Sequence, residues 1–228
     1  LITTAPLEII YSGSAELDRV RQALAAAFAT LPREEVRTIA DAVPHVCRES
    51  VQTVEDEMEV TQGKLSMGFS CGSDDMPALL LGNTLFGGSS NSKLFLNVRE
   101  KLSLCYYASS MYHRQKGIIT VSSGIEFQNY QRAYDEILSQ LAAVQNGELE
   151  EWELAGARST LLNSYATVGD SQGKLENFYL GQAATGRSET PADLAQAVME
   201  VSAERICRAM STVKLDTVYF LKGKEAQA

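Results

Sequence analysis

Gly87-Gly88-Ser89-Ser90-Asn91-Ser92-Lys93-Leu94-Phe95-Leu96-Asn97-Val98-Arg99-Glu100-Lys101-Leu102-Ser103-Leu104-Cys105-Tyr106-Tyr107-Ala108-Ser109-Ser110 is the stretch around which the chain is organised. Its Gly/Ser/Asn opening reads as a loop. Leu94, Phe95, Val98 and Leu102 then recur at helical spacing. Ser92 is placed to cap that helix, because its hydroxyl oxygen accepts from a backbone N–H of the first turn. A strand-like segment begins near Leu104. Arg99 thus falls late in a helix, and Tyr106 falls on the next strand, seven residues on. Such an arrangement holds a guanidinium and a phenol over one patch of surface. Equally, Arg99 can pair with a nearby carboxylate while Tyr106 packs in the sheet, an ordinary fate for both residue types. Local sequence leaves the two readings open.

Working outward, Asp74-Asp75-Met76-Pro77 starts a helix with acids at its positive end and Pro in its first turn. It runs through Leu79, Leu80, Leu81 and Leu85 and is apolar nearly all round, so it should be buried. Before it, Gly63 to Ser70 alternates, with Leu65, Met67 and Phe69 on one face. Val51 to Val60 is polar but β-branched, as an edge or half-exposed strand would be; only Thr61-Gln62-Gly63 separates it from the next strand, which suggests a hairpin, with a longer-range pairing as the alternative. After the quoted stretch the strand turns at Gln115-Lys116-Gly117 and returns as Ile118–Ile125. Helical patterns follow over Asn129–Val144, Glu150–Val168, Gln172–Thr185, Pro191–Val201 and Ala203–Met210, then a last strand over Leu215–Lys222. At the front, Leu7–Ser12 reads as a buried strand. Ser14 reads as the cap of a helix through Phe28 whose apolar face is Leu17, Val20, Leu24, Ala27 and Phe28.

The order from residue 51 is two strands, two helices, two strands, about five helices and a strand. That grouping is α+β: a mainly antiparallel sheet covered on one face by helices. Residues 1–33 form a separate strand–helix unit, 34–50 a linker, 51–224 the main domain and 225–228 a tail. Without βαβαβ alternation or G-x-G-x-x-G, a dinucleotide fold is excluded.

With 228 residues, 45% hydrophobic, and a mean hydropathy of -0.12, the composition fits a soluble globular chain with a sizeable core. A formal charge of -9 argues against a nucleic-acid partner. No apolar run reaches the roughly 18 residues that span a bilayer. Cys47, Cys71, Cys105 and Cys207 are widely spaced and read as reduced, mostly buried thiols, which suits a cytoplasmic protein. His45 and His113, the two histidines, belong to no H-E-x-x-H or H-x-x-E-H. His45-x-Cys47 lacks further ligands in register, and neither Cys105 nor Cys71 with His113 shows the activation a nucleophilic thiolate needs. No metal site is expected in this chain. The start at Leu1-Ile2-Thr3-Thr4 reads as mid-protein and leads us to expect a preceding segment that carries targeting or chemistry.

Gly87-Gly88-Ser89-Ser90-Asn91-Ser92-Lys93-Leu94-Phe95 is similar to the "GG-x-x-SS-x-L-F" of the M16 family of zinc metallopeptidases, the pitrilysin/insulinase clan with the processing peptidases. Asn97-Val98-Arg99-Glu100-Lys101 with Tyr106 resembles that family's "R-E-K-x-x-L-x-Y". The resemblance covers roughly residues 51 to 224 and implies the LuxS–MPP-like metallohydrolase fold. Such proteins set two like domains across a chamber: the first carries H-x-x-E-H, and the second lacks zinc and reaches an Arg and a Tyr toward substrate. Arg99 and Tyr106 match that pair. Leu79, Gly82 and Asn83 stand where His, Glu and His would be, so the chain resembles the metal-free, C-terminal half, and residues 5 to 31 resemble the closing unit of the first. Cys105–Ser110, Lys116-Gly117 and Ser123–Glu126 most resemble a Gram-positive bacterial branch in which one protein is a non-peptidase homologue and a separate partner carries the zinc motif.

The resemblance therefore implies a substrate-binding half of a chambered zinc peptidase, which hydrolyses nothing alone. Zinc is expected in the missing N-terminal M16 domain or in a zinc-bearing M16 partner subunit, and the ligand would be a peptide. Two readings from other classes stand beside it: a structural or scaffolding M16-like subunit, and a peptide-binding module without proteolytic role. Whether Arg99 and Tyr106 face an open concave surface or are buried in contacts separates them.

Overall fold

The structure, a computed structural model, describes residues 2–36 and 46–224. His45, the linker residues 37–45 and the tail 225–228 lie outside the described residues. The helices in chain order are α1 (Leu17–Ala29), α2 (Met76–Asn83), α3 (Tyr130–Gln145), α4 (Glu151–Ala166), α5 (Gln172–Ala184), α6 (Pro191–Met199) and α7 (Ala203–Met210). The strands are β1 (Gln52–Met58), β2 (Gly63–Cys71), β3 (Cys105–His113), β4 (Ile118–Ile125) and β5 (Val213–Gly223). The described residues fall into two compact units, one drawn from 1–42 and 166–190, the other from 43–165 and 191–228.

The larger unit is α+β, as the element order predicts. Its strands run in the order β1-β5-β2-β4-β3. β1 and β5 are parallel and every other pair is antiparallel. The β1–β2 hairpin does not form: β5 lies between them, pairing β1 on one side and β2 on the other. The physical reason is burial. Val218 and Phe220 of β5 are buried, whereas every residue of β1 is exposed, so the apolar strand takes the interior place and the polar one the edge.

Period-two alternation sets the inner face. Leu65, Met67 and Phe69 of β2, Ile119 and Val121 of β4, and Val218 and Phe220 of β5 join one core with α2, α3 and α7. In α2, Ala78, Leu79 and Leu81 are buried, as expected of a helix apolar all round. Each of the two leucines contributes about 1.5–3 kcal/mol when fully buried. The start of α2 is fixed twice. Asp75 accepts the Ala78 N–H at 3.2 Å, and the Arg205 fork reaches both of its oxygens at 3.1 and 3.0 Å. That carboxylate raises the Arg205 pKa further above its ordinary value.

In the smaller unit, α1 keeps Val20, Leu24 and Phe28 half-buried on one face. Two expectations fail there. Ser14 does not cap α1; Glu16 stands at the cap position without a side-chain bond, and the helix begins at Leu17. Leu7–Ser12 forms no strand, and Leu7, Ile9 and Tyr11 are exposed. A strand needs a neighbour's backbone groups, and among the described residues none pairs with this segment.

Candidate functional site

The quoted stretch lies wholly in the larger unit. After Asn83 the α2 helix widens into a π-helical turn, Thr84–Gly88. Gly87 presses against β3: a Cβ there would lie 2.7 Å from the Ser110 backbone nitrogen and 2.7 Å from Leu94 Cδ1. The glycine is thus demanded by a close approach of two backbones. Gly87→Ala is expected to cost about 1–3 kcal/mol by overpacking, read as a lower urea midpoint; a midpoint unchanged from the parent chain would contradict this packing.

The expected helix over Leu94–Lys101 forms, but it is π-helical. Ser92 Oγ accepts the Phe95 N–H at 3.4 Å, as the cap reading predicts. The Leu102 N–H bonds the Asn97 carbonyl five residues back, at 3.1 Å. This wider winding shifts the phase of the apolar face. Leu94 and Val98 are buried, Phe95 is half-buried, and Leu102 turns outward, a correction to its place on the inner face; Leu104 takes the buried position. The same winding lays the Arg99 guanidinium over the Phe95 ring, 4.6 Å from its centroid.

Arg99 and Tyr106 are brought together through the main chain. Arg99 Nε donates to the Tyr106 carbonyl oxygen at 3.0 Å, and Nη1 lies 3.3 Å from Glu100 Oε1. Strict alternation from buried Ala108 and Ser110 would send Tyr106 inward. It does not, because the β3–β4 register slips between Cys105 and Tyr107, a β-bulge at Tyr106. The ring turns outward and is 60% exposed, so it does not pack in the sheet. Its hydroxyl donates to Glu126 Oε1 at 3.4 Å. Next to it, Tyr107 packs over Gly124, where a Cβ would meet its ring at 2.6 Å, and Lys64 Nζ sits 5.3 Å from the Tyr107 centroid.

Phe95, Arg99, Tyr106 and Tyr107 line a concave groove of about 780 Å³ at the β3 edge of the sheet. One wall is the Gly87–Ser90 loop with Phe95 and Arg99; the other is Tyr106, Tyr107 and the outward residues of β3 and β4, including Ser109, Met111 and Ser122. The walls offer hydroxyls, aromatic faces and one guanidinium. Among the described residues no strand pairs with the outer edge of β3; Arg99 Nε holds the Tyr106 carbonyl and Gly87 packs on the Ser110 backbone.

The positions matched to a zinc motif hold no ligand set. Leu79 is in the core, Gly82 has no side chain and abuts Met210, and Asn83 Oδ1 accepts the Ser110 hydroxyl at 2.7 Å. Among the described residues no three His, Cys, Asp or Glu side chains come together as a metal site would need. His113 Nε2 is 2.9 Å from Thr120 Oγ1. Burial pushes the Cys71 thiol up to about 12, and burial also raises Cys105, with Ser123 and Arg99 acting against it. Neither is poised as a nucleophile. Of the four free thiols Cys71 alone is buried; the others are half-buried, a correction to the expectation that most are. No helix among the described residues is long and apolar enough to cross a membrane.

The fold has solved counterparts. A conserved protein from Enterococcus faecalis V583 superposes with a TM-score of 0.82 at 26% identity, over 94% of this chain and 51% of that one. A peptidase M16 inactive domain from Pseudomonas fluorescens superposes at 0.74 and 17% identity, over 94% and 53%, a likeness of fold. The model of the peptidase M16 inactive domain matches residues 5–161, and this chain belongs to that family. Among its relatives is the probable inactive metalloprotease YmfF of Bacillus subtilis, 37% identical over 225 residues, covering 96% of this chain and 52% of that protein. That organism fits the Gram-positive branch the sequence resembles. The chain spans about half the length of YmfF and of both structures.

Proposed function

We propose that the chain supplies the metal-free, peptide-facing half of a chambered M16-type zinc peptidase or peptidase homologue, in a cytoplasmic setting. The other half, an N-terminal M16 domain or a partner subunit, carries the zinc, which when bound supplies an activated water. The carrying observation is that Arg99 and Tyr106 line one concave groove along the edge strand β3. An extended peptide laid there would bond the β3 backbone by strand addition. Arg99 would donate in a planar fork to a peptide carbonyl or carboxylate, and the Tyr106 hydroxyl to a developing oxyanion. Leu79, Gly82 and Asn83 give this half no hydrolytic centre of its own.

The test is peptide cleavage by the zinc-bearing half alone and with this chain added. A marked rise on addition is expected. Equal rates, with the two halves bound to each other, would contradict the proposal and favour a scaffolding subunit. Peptide affinity without cleavage would favour the binding module.

A further inference from the structure

We infer that Glu126 is a positioning residue that holds the Tyr106 phenol and competes with a bound peptide for its proton. The inference rests on the peptide-facing reading of Arg99 and Tyr106. Glu126 is the first residue after β4, and Ile125 before it pairs with Cys105 at the foot of the bulge. The end of β4 therefore delivers a carboxylate beneath the ring that the bulge turns out. Glu126 is itself oriented, since Gln128 Nε2 donates to its Oε2 at 2.9 Å. That leaves Oε1 for the Tyr106 hydroxyl, at 3.4 Å. A phenol has one proton to donate, so a phenol bound to Glu126 is not donating to a ligand.

The distance matters. Hydroxyl bonds to oxygen are strongest at about 2.5–3.0 Å, so this one is weak enough for a peptide carbonyl to displace. Glu126, Arg99 and Tyr106 also line a second concavity of about 470 Å³, which Arg99 and Tyr106 share with the main groove. The pair forms the partition between the two, and Glu126 stands on the far side of it. A chain lying in the main groove draws the phenol across the partition and away from the carboxylate.

Glu126→Gln keeps the shape and an acceptor oxygen but removes the charge that makes the acceptor strong. The probe is a fluorescein-labelled, end-capped extended decapeptide with alternating apolar and neutral polar residues, so that the lost charge at Glu126 does not itself change the attraction. Glu126→Gln is expected to tighten its binding about twofold, because the contact relieved is a weak one. In a Tyr106→Phe background the same change should do nothing. A purely structural role would move both backgrounds equally and would overturn the inference, as would unchanged affinity in the Tyr106 background. If Arg99→Ala leaves peptide binding intact, or the parent chain binds no peptide, the underlying reading fails. A ligand-free measurement separates these failures. With 13Cζ-labelled tyrosine, the Tyr106 resonance should shift in Glu126→Gln and stay in place in Gln131→Ala, a change on α3. A resonance unmoved by Glu126→Gln would overturn the Glu126 contact itself.

Discussion

Arg99→Ala should lower peptide turnover of the proposed assembly about a hundredfold, the scale of losing a charged hydrogen bond of about 3 kcal/mol. In an assembly that binds without cleaving, the loss is read as affinity. The size follows from two tasks that one guanidinium performs. Its Nε fixes the Tyr106 carbonyl at 3.0 Å, which pins the bulge, and its guanidinium, over the Phe95 ring, lines the groove. Alanine loses both. Arg99→Lys should recover little, because an ammonium on a flexible stem cannot hold the carbonyl and reach a ligand in the same plane. Tyr106→Phe removes the hydroxyl assigned to the oxyanion and keeps the ring, so about a hundredfold loss is expected, the low end for a single oxyanion donor. Urea midpoints should fall only by the worth of one hydrogen bond, about 1 kcal/mol, in Arg99→Ala and hardly move in Tyr106→Phe. Turnover unchanged in Arg99→Ala would remove Arg99 from the function.

Lys93→Met should destabilise the chain by about 3–5 kcal/mol, the cost of leaving a buried charge without its partner. Lys93 and Glu153 are 8% and 7% exposed, and Lys93 Nζ lies 3.0 Å from both carboxylate oxygens. Glu153 also accepts the Glu150 N–H at 2.9 Å, at the start of α4. The pair ties the exit of the Gly/Ser loop to that helix, and so sets the π-helical segment from which Arg99 projects. Replacing both by apolar residues, Lys93→Met with Glu153→Leu, should return most of the lost stability, because no charge is then left buried. Denaturant unfolding of the parent chain, the single and the double variant checks this. A double variant as unstable as the single one would show that shape, not charge, governs the site.

The fold was legible where local rules act alone. Alternation at Leu65, Met67 and Phe69 placed the inner face of β2, and Asp75 with Pro77 marked the start of α2. The place of β5 was not, because its pairing with β1 and β2 joins residues more than a hundred apart, for which no local pattern exists. At the site, the Gly/Ser run and the Arg99–Tyr106 spacing were visible. The π-helical winding and the bulge were hidden, since each breaks the periodicity by which a sequence is read. One signal of the bulge was present. Adjacent Tyr106 and Tyr107 precede small inward residues Ala108 and Ser110, and a Tyr106 in that inward register would have had to fit the same narrow layer. The Lys93–Glu153 pair had no sequence signal, as a Lys in a polar loop and a Glu in an acidic run both look solvated.

The most direct measurement is a titration of the 15N-labelled chain with the extended decapeptide, following the Arg99 Nε–Hε resonance and the backbone amides of β3 by NMR. The Arg99 resonance and the amides of Tyr106 to Met111 should move together and saturate at one peptide concentration, while the amides of β1 stay in place. Saturable shifts confined to β1 or to the helices, with Arg99 unmoved, would contradict a peptide-facing groove at β3.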